Sequence, residues 1–249
     1  MKDFQAQPNS LANRTILVTG AGAGIGKGAA IAYARQGARV ILLGRTLEKL
    51  EKVYDEILAL KAPEPVILPL DLEKASVEDY KMVAESIMEQ FGHLDGLLNN
   101  AALLGPKAPI SFYNEQTWLQ VMQVNINSAF MLTKALLPAL QAAPNASVVF
   151  TSSSVGKQGR AYWGAYSVSK FAVEGFSQVL ADELRQTSKV RVNCIDPGAT
   201  RTAMRKDAYP AENPDTLPTP ADIMPTYLYL MDDASIGTTG QSLRAQAPK

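Results

Sequence analysis

The sequence predicts an α/β fold in which helices cover both faces of a parallel sheet of about seven strands, a doubly wound three-layer sandwich. Short apolar, β-branched runs alternate with longer segments of helical periodicity, a pattern typical of right-handed βαβ units. A glycine-rich segment at residues 20–26 joins the first apolar run to the first helix. With 249 residues, 47% of them apolar, the chain is long enough to bury a large core.

The predicted strands are short and apolar, as expected for strands that are buried on both faces of a parallel sheet. They comprise residues 15–19, 40–43, 66–70, 94–98, 147–151, 190–195 and a weaker run at 241–245. The predicted helices show apolar residues at helical spacing. They comprise residues 29–36, 46–60, 76–90, 117–140, a segment that carries Tyr166 and extends to 185, and 221–231.

Local signals define the ends of several elements. Gly37 follows the first helix, and Pro63 and Pro65 interrupt the second, as glycine and proline commonly do. Glu78 and Asp79 lie in the first turn of the third helix, where the helix dipole favours negative charge.

The chain shows no repeat, low-complexity tract or linker that would divide it. One Rossmann-type domain is therefore predicted over residues 1–249, with the polar residues 1–13 as an N-terminal arm. A proline-rich segment at residues 199–220 is predicted to be an irregular loop that borders the substrate.

Charge and composition exclude several classes of protein. Lys+Arg and Asp+Glu both number 24, so no net field favours nucleic acid or an anionic membrane. No apolar run reaches the roughly 18 residues that a transmembrane helix needs. Residues 1–13 lack the apolar core of a signal peptide. We expect a cytoplasmic protein that acts on a small molecule rather than on nucleic acid or a membrane.

The chain contains one cysteine, Cys194, and one histidine, His93. A single cysteine excludes an intramolecular disulfide, and its position in an apolar strand predicts a packed, unreactive thiol. His93 lies between a helix and a strand, where a structural role at the surface is expected. With so few of these side chains, neither a histidine-based triad nor a zinc site is predicted, and no metal is expected.

Glycine occupies four alternate positions, Gly20, Gly22, Gly24 and Gly26, between the first predicted strand and helix. Glycines at such a junction let the backbone turn tightly and approach a pyrophosphate, which binds N–H groups at the helix N-terminus. The alternative is a tight turn without a ligand. A Walker A loop is excluded, because Gly28 stands where Ser or Thr would have to bind magnesium.

The end of the second predicted strand bears on the choice of cofactor. In dinucleotide-binding folds an acidic residue there binds the ribose 2′-OH of NAD. This chain has Gly44-Arg45-Thr46 and no carboxylate. Because the planar guanidinium of Arg45 suits a 2′-phosphate, the sequence predicts that NADP(H) is preferred over NAD(H). A solvent-exposed Arg45 at a helix start is the alternative.

Tyr166 and Lys170 are four residues apart in a predicted helix, so their side chains share one helical face. Three serines, residues 152–154, end the preceding strand. An ammonium about 4 Å from a phenolate attracts it by roughly 4 kcal/mol at an effective dielectric constant of about 20. This interaction bounds the lowering of the phenol pKa at about 3 pH units. The set therefore suits proton transfer, and an ordinary amphipathic pair on a helix surface is the alternative.

Several motifs, taken together, resemble those of the classical short-chain dehydrogenases/reductases over nearly the whole chain. They are Thr19-Gly20-(x)3-Gly24-Ile25-Gly26, Asp71-Leu72, Asn99-Asn100-Ala101-Ala102, Asn125, Ser153, Tyr166-(x)3-Lys170 and Pro197-Gly198-(x)3-Thr202. Each motif is modest alone, but their order and spacing are highly specific. The serine-rich segment at residues 151–156 is also similar to the YciK-type bacterial oxidoreductases of this family.

The resemblance implies four catalytic residues. Tyr166 would be the general acid/base, and Lys170 would lower the pKa of Tyr166 and bind the nicotinamide ribose. Ser153, rather than its two serine neighbours, would orient the substrate oxygen. Asn125 would support a proton relay to Lys170, with a purely structural asparagine as the alternative. The residues implied to bind the cofactor are Gly20, Gly22, Gly24, Ile25, Gly26, Arg45, Thr46, Asp71, Leu72, Asn99, Ala101, Tyr166, Lys170, Pro197, Gly198, Thr200 and Thr202.

The function implied by this resemblance is hydride transfer between NADP(H) and a carbonyl/alcohol substrate. One alternative is a catalytically silent NAD(P)-binding regulator, which the Ser-Tyr-Lys set disfavours. Another is an epimerase or dehydratase on the same fold, which usually carries a larger C-terminal substrate domain.

Substrate specificity is less well defined by the sequence. Trp163 and Tyr162 are candidates for lining the pocket, with packing or oligomer contact as the alternative. Arg160, Arg201 and Arg205 are candidates for binding an anionic group, with solvation as the alternative.

Two departures from the family pattern affect these expectations. Residues 239–244 keep the usual Thr-Gly-Gln but lack the following Asp-Gly-Gly, which leaves the register of the last strand open. Ala23 stands where some NADP-preferring members carry a basic residue, so Arg45 is the main support for NADP(H). The apolar helices at residues 117–140 and 164–185 predict a homodimer or homotetramer.

Overall fold

The computed structural model describes residues 3–247 and contains a seven-stranded sheet in which all strands are parallel. The strands are β1 (Thr15–Thr19), β2 (Arg39–Gly44), β3 (Val66–Pro69), β4 (Gly96–Asn99), β5 (Ser147–Thr151), β6 (Arg191–Asp196) and β7 (Ser242–Arg244). Their order is β3-β2-β1-β4-β5-β6-β7. Strands β1 to β3 are added toward one edge of the sheet and β4 to β7 toward the other, so the strand order reverses between β1 and β4. Doubly wound folds bind ligands at such a reversal. The predicted fold class is confirmed.

Helices cover both faces of the sheet. They are α1 (Gly24–Arg35), α2 (Leu47–Ala59), α3 (Val77–Phe91), α4 (Glu115–Met122), α5 (Ser128–Ala142), α6 (Gly164–Leu184), α7 (Ala203–Ala208) and α8 (Met224–Met231). Side chains of α1, α2 and α8 form one core with Ile16 and Val18 of β1, whereas α3, α5 and α6 form the other with Leu17. Because successive residues of a strand face opposite sides, both faces bury apolar side chains, which explains why the strands are apolar throughout.

Most predicted elements agree with the structure to within a few residues, with three differences. Helix α1 begins at Gly24 rather than at 29, because the low helix propensity of glycine conceals its first turn in the sequence. The predicted helix at 117–140 contains a π-helical turn, Gln123–Asn127, between α4 and α5. The predicted irregular loop at 199–220 contains α7, which starts where the Thr202 hydroxyl accepts a hydrogen bond from the Arg205 N–H.

The last strand is retained despite the missing Asp-Gly-Gly. In the register of β6 and β7, Ile195 lies opposite Leu243 and Asp196 lies opposite Arg244. The Ala245 N–H extends the ladder by donating to the Asp196 carbonyl oxygen at 2.9 Å. The pairing places Arg244 at the carboxyl end of the sheet.

Cys194 and His93 occupy structural positions, as predicted. Cys194 is buried in β6, and burial raises the pKa of its thiol to about 12. His93 lies near the surface with Nε2 at 3.3 Å from Asp95 Oδ2. Among residues 3–247, no group of three or more His, Cys, Asp and Glu side chains is arranged to hold a metal. Over the same range, no helix is long and apolar enough to cross a membrane.

Replacing Gly26 with alanine should destabilise the fold. A Cβ at Gly26 would collide with the Gly20 carbonyl oxygen and lie 2.7 Å from Asn100 Nδ2, so the turn before α1 would have to shift. We expect Gly26→Ala to lower the free energy of unfolding, measured in urea, by about 1–3 kcal/mol.

Gly175→Ala in α6 is the matched control, since nothing lies within 4 Å of a Cβ there. It should leave stability unchanged or raise it by about 0.5–1 kcal/mol through helix propensity. Equal free energies of unfolding for the two variants would contradict the packing argument.

Candidate active site

A groove runs along the carboxyl ends of the strands on both sides of the reversal between β1 and β4. Its first cavity, of about 310 Å³, lies beside β2 and β3, and its second, of about 260 Å³, lies beside β5 and β6. The two cavities share Gly20, Ala23, Ala101 and Ala102 as lining residues. The groove is therefore continuous and long enough to pass over the glycine-rich turn.

The N-terminus of α1 forms the floor of the groove. Gly20 and Gly24 have φ angles of +67° and +55°, which other residues rarely adopt. No side chain caps α1, because its N-cap residue is Ala23. A Cβ at Gly22 would lie 2.9 Å from the Cβ of Lys49, so little more than glycine fits. The uncapped amide groups, the helix dipole and this close backbone approach fit the pyrophosphate of a dinucleotide.

The residues near this turn that were predicted to bind the cofactor fall into two groups, one that lines the groove and one that lies behind it. Gly20, Gly22 and Gly24 line the groove, as does Ile25. Gly26 lies behind it and allows α1 to pack against the Gly20 carbonyl group.

The first cavity carries the residues that were predicted to select the cofactor. Arg45 and Thr46 line it together with Asp71 and Leu72. The Arg45 side chain is exposed, and no salt bridge joins it to a carboxylate within residues 3–247. Lys49, one helical turn further along, lines the same cavity and was not predicted. This end of the groove therefore presents two cations from one segment.

Polar side chains join the strands where the sheet order reverses. The Thr19 hydroxyl accepts hydrogen bonds from the backbone N–H groups of Asn100 and Ala101, at 2.8 and 2.9 Å. Asn99 Nδ2 donates to the Thr133 hydroxyl at 3.0 Å. Ala101 lines both cavities, whereas the Asn99 side chain points away into the protein. The Thr19 contacts tie the end of β1 to the segment that follows β4, and the Asn99 contact ties β4 to α5.

Tyr166 and Lys170 lie in the second part of the groove, and Ser153 lies near Tyr166 outside its lining. Tyr166 and Lys170 are both buried in α6 and line the second cavity. Ser153 is near enough to Tyr166 to act on the pKa of its phenol. Ser152 lines the cavity and is buried without a side-chain partner, and Ser154 is exposed. Lys170 Nζ donates to the Thr151 carbonyl oxygen at 2.7 Å. The structure thus brings Ser153, rather than its neighbours, to the tyrosine.

Burial shifts the pKa values of both groups. Burial raises the pKa of Tyr166 to about 12, against an opposing contribution from the hydrogen bond to Ser153. Burial lowers the pKa of Lys170 to about 8. Desolvation of the phenolate dominates the shift of Tyr166, and the Lys170 ammonium is directed at the Thr151 carbonyl group. The lowering of the pKa of Tyr166 by Lys170, which the resemblance implied, stays a prediction.

Asn125 lies in the π-helical turn and is buried. Its Oδ1 accepts from the Leu103 N–H at 2.7 Å, and its Nδ2 donates to the Leu103 carbonyl oxygen and to the Ser169 hydroxyl. A cavity of about 10 Å³ separates it from Lys170 and is also lined by Thr151. This volume matches one water molecule with polar neighbours. The side chain thus positions the loop after β4 and faces Lys170 only across this cavity.

Comparison with known proteins identifies the family. The sequence profile described as short chain dehydrogenase matches residues 14–213. The chain is 54% identical over 243 residues to the uncharacterized oxidoreductase YciK of Escherichia coli strain K12, covering 98% of this chain and 96% of that protein. The chain belongs to the short-chain dehydrogenase/reductase family of oxidoreductases. The resemblance to the YciK-type branch is likewise confirmed.

Solved structures agree with this assignment. The crystal structure of the short chain dehydrogenase from Shigella flexneri superposes with a TM-score of 0.97 at 52% identity, covering 100% of this chain and 96% of that one. A structure from Shigella flexneri 2a strain 301, complexed with NADP, gives a TM-score of 0.94 at 54% identity. It covers 97% of this chain and 100% of that one.

The residues of the Pro-Gly motif of this family member lie at the far end of the groove. Pro197 and Thr202 line the second cavity, and Gly198, with a φ of +71°, lies just beyond it. Thr200 is buried, and its hydroxyl donates to the Pro197 carbonyl oxygen at 3.3 Å. It therefore supports the loop and does not line the groove. Gln246 packs on this loop by donating to the Pro197 and Ala199 carbonyl oxygens.

A third cavity, of about 350 Å³, is lined by Ser153, the residue after Ser152 of the groove. Trp163 lines it, whereas Tyr162 is 56% exposed at the surface. Arg160 and Arg205 line it, but Arg201 is ion-paired with Asp215 outside it. Tyr209, Arg244 and Gln246 also line it and were not predicted as site residues. The predicted weak strand at residues 241–245 was the only signal near the last two.

Replacing Asn125 with the isosteric leucine should destabilise the enzyme. The change leaves the Leu103 N–H and carbonyl groups without their side-chain partner, and each unpaired buried group costs about 1–3 kcal/mol. We expect Asn125→Leu to lower the free energy of unfolding by about 2–4 kcal/mol in urea denaturation.

Asn127→Leu serves as the control, because Asn127 is exposed two residues later and surface changes usually cost less than about 0.5 kcal/mol. If Asn125→Leu were as stable as this control, Asn125 would not hold the loop.

Proposed function

We propose that this short-chain dehydrogenase/reductase transfers a hydride between NADP(H) and a carbonyl/alcohol pair, with Tyr166 as the general acid/base. The observation that carries the proposal is the position of Tyr166, buried beside Ser153 in the groove that begins at the uncapped N-terminus of α1. A proton donor and a dinucleotide cradle along one continuous groove are what carbonyl reduction requires.

The residues along the groove fit a nicotinamide dinucleotide in a definite direction. Arg45 and Lys49 would bind the phosphorylated adenosine end, and the first turn of α1 would bind the pyrophosphate. Lys170, Pro197 and Thr202 would hold the nicotinamide riboside. A bound nicotinamide supplies a hydride to the carbonyl carbon in reduction and accepts one from the alcohol carbon in oxidation.

The chain's own residues manage the proton. With a pKa of about 12, the Tyr166 phenol is protonated near neutral pH and donates its proton to the alkoxide oxygen formed in reduction. The Ser153 hydroxyl offers a hydrogen bond to the same oxygen. Lys170 faces the small cavity shared with Asn125, and a water molecule there would pass a proton from solvent to Lys170, which would restore the proton that Tyr166 has given up.

Tyr166→Phe should remove most of the turnover while leaving cofactor binding intact. The phenyl ring keeps the packing but cannot donate a proton, and general acid/base catalysis typically contributes about 10²–10⁴-fold. We expect kcat to fall by at least about 10²-fold in a spectrophotometric assay of NADPH oxidation. The Kd of NADPH, measured by fluorescence, should change little. Near-wild-type turnover would remove Tyr166 from the mechanism.

The pH dependence of the two directions gives a second readout of the same residue. Oxidation needs the phenolate as base, and below a pKa of about 12 its fraction rises about tenfold per pH unit. We expect kcat/KM for alcohol oxidation to rise between about pH 6 and 8 and that for carbonyl reduction not to rise. Parallel profiles in the two directions would contradict the assignment.

Arg45→Ala should weaken the preference for NADP(H). Hydrogen bonds to charged groups are strong enough for a tenfold effect or more, and Arg45 lines the cavity at the adenosine end. We expect the Kd of NADPH to rise at least about tenfold while that of NADH stays within about twofold. Lys52→Ala, exposed in α2, is the control for loss of one positive charge. Equal or better efficiency of the wild-type enzyme with NADH would rule the preference out.

We also propose that residues 1–249 form one domain and that the enzyme is a homodimer or homotetramer. The support is a set of exposed apolar side chains on the outer helices, among them Phe130 of α5 and Phe171 and Val179 of α6. The catalytically silent regulator has no support from the relatives, which are oxidoreductases by description.

A further inference from the structure

The third cavity carries a set of positive charges next to the proposed catalytic residues. Three arginines from separate parts of the chain line it: Arg160 before α6, Arg205 in α7 and Arg244 in β7. Ser153 lines this cavity, and the preceding residue, Ser152, lines the groove together with Tyr166. A volume of about 350 Å³ is at the small end of the range for ligand pockets.

The carboxylates near this cavity offset only part of its positive charge. Glu212 is occupied by Arg205, whose Nε and one terminal nitrogen donate to it at 2.6 and 2.7 Å. Asp196 lines the cavity, and its Oδ1 accepts from the Gly198 N–H at 3.0 Å. Arg160 and Arg244 form no salt bridge with any carboxylate of residues 3–247. Two guanidinium groups are therefore available to a ligand.

An aromatic wall faces these cations. The Trp163 ring lies 5.8 Å from the ring of Tyr166 and 5.9 Å from that of Tyr209. Arg205 and Lys107 lie over the Tyr209 ring, at 3.9 and 4.4 Å from its centroid. Two cations thus contact the Tyr209 ring of this wall, and the wall extends from the proposed proton donor to the arginines.

We propose that the substrate is a small carbonyl compound with an anionic group, a carboxylate or a phosphate, which Arg160 and Arg244 bind. Guanidinium groups recognise both anions through paired N–H donors. The body of the substrate would lie along Trp163, with its carbonyl oxygen toward Ser153 and Tyr166. This inference rests on the proposed reductase function for its reacting end, but the anion site itself does not require turnover.

Direct binding tests the anion site without chemistry. The chain has two tryptophans, so a Trp118→Phe background leaves Trp163 as the fluorescent reporter in the cavity. With saturating NADP⁺, we expect benzoate or phenyl phosphate to quench it and neutral benzamide not to. Arg160→Met and Arg244→Met should each raise the Kd of the anion at least about tenfold, the scale of a charged hydrogen bond.

Arg185→Met, which removes the same charge at the end of α6 beside Asp182, is the matched control and should leave this Kd unchanged. Unchanged melting temperatures and NADPH affinities show that the two test variants are folded. Benzamide binding as tightly as benzoate, or a benzoate Kd that is unchanged in both arginine variants, would overturn the proposal.

Turnover then tests the substrate class and identifies the anion. We expect kcat/KM for 4-carboxybenzaldehyde or 4-formylphenyl phosphate to exceed that for methyl 4-formylbenzoate at least about tenfold, and the better of the two anions identifies the group. In Arg160→Met and Arg244→Met the ratio should approach one. A wild-type enzyme that prefers the neutral ester would overturn the proposal and leave the reductase function standing. Arginine-dependent benzoate binding without reduction of any aldehyde would support the anion site and contradict the reductase function.

Discussion

The arrangement of the site depends on one buried charge, the ammonium of Lys170. It is 2% exposed, and burying an ammonium is costly unless it is hydrogen-bonded. The bond to the Thr151 carbonyl oxygen uses one of its three N–H donors and ties α6 to the end of β5. Gly156 allows this close approach, because a Cβ at that position would lie only 2.8 Å from the Cβ of Lys170. Tyr166, one turn earlier in α6, is thereby held against Ser153.

The same burial determines the protonation states of Tyr166 and Lys170 when no substrate is bound. The raised pKa of Tyr166 and the lowered pKa of Lys170, about 12 and about 8, leave both groups protonated at neutral pH. The site at rest therefore holds a phenol that can give a proton, which suits reduction more directly than oxidation. A base role for Tyr166 has to overcome desolvation of its phenolate, and the ammonium directed at Thr151 does not offset this cost alone.

Local sequence signals predicted the fold and the reacting end of the site. The glycine-rich turn, the four-residue spacing of Tyr166 and Lys170 and the alternation of strands and helices are all encoded within short segments. The π-helical turn at Asn125 was not predictable, because its hydrogen bonds depend on Leu103 and Ser169 rather than on neighbouring residues. The raised pKa of Tyr166 could not be predicted either, because the sequence gives the spacing between Tyr166 and Lys170 but not the burial of the Tyr166 phenol.

The proposed substrate end of the site is built from residues that are distant in the sequence. Arg160, Arg205 and Arg244 are far apart in the sequence and meet only because β7 pairs with β6 and α7 folds over the cavity. Arg160 and Arg244 are exposed, so salt screens their charges over about 8–10 Å, and they act on a substrate they contact more than on the pKa of Tyr166. In the proposed site, selectivity therefore depends on exposed side chains that the sheet topology brings together, whereas the proposed proton transfer depends on a buried pair within one helix. Substitutions in α7 or β7 can then change the substrate without disturbing the bond between Lys170 and Thr151 on which the chemistry depends.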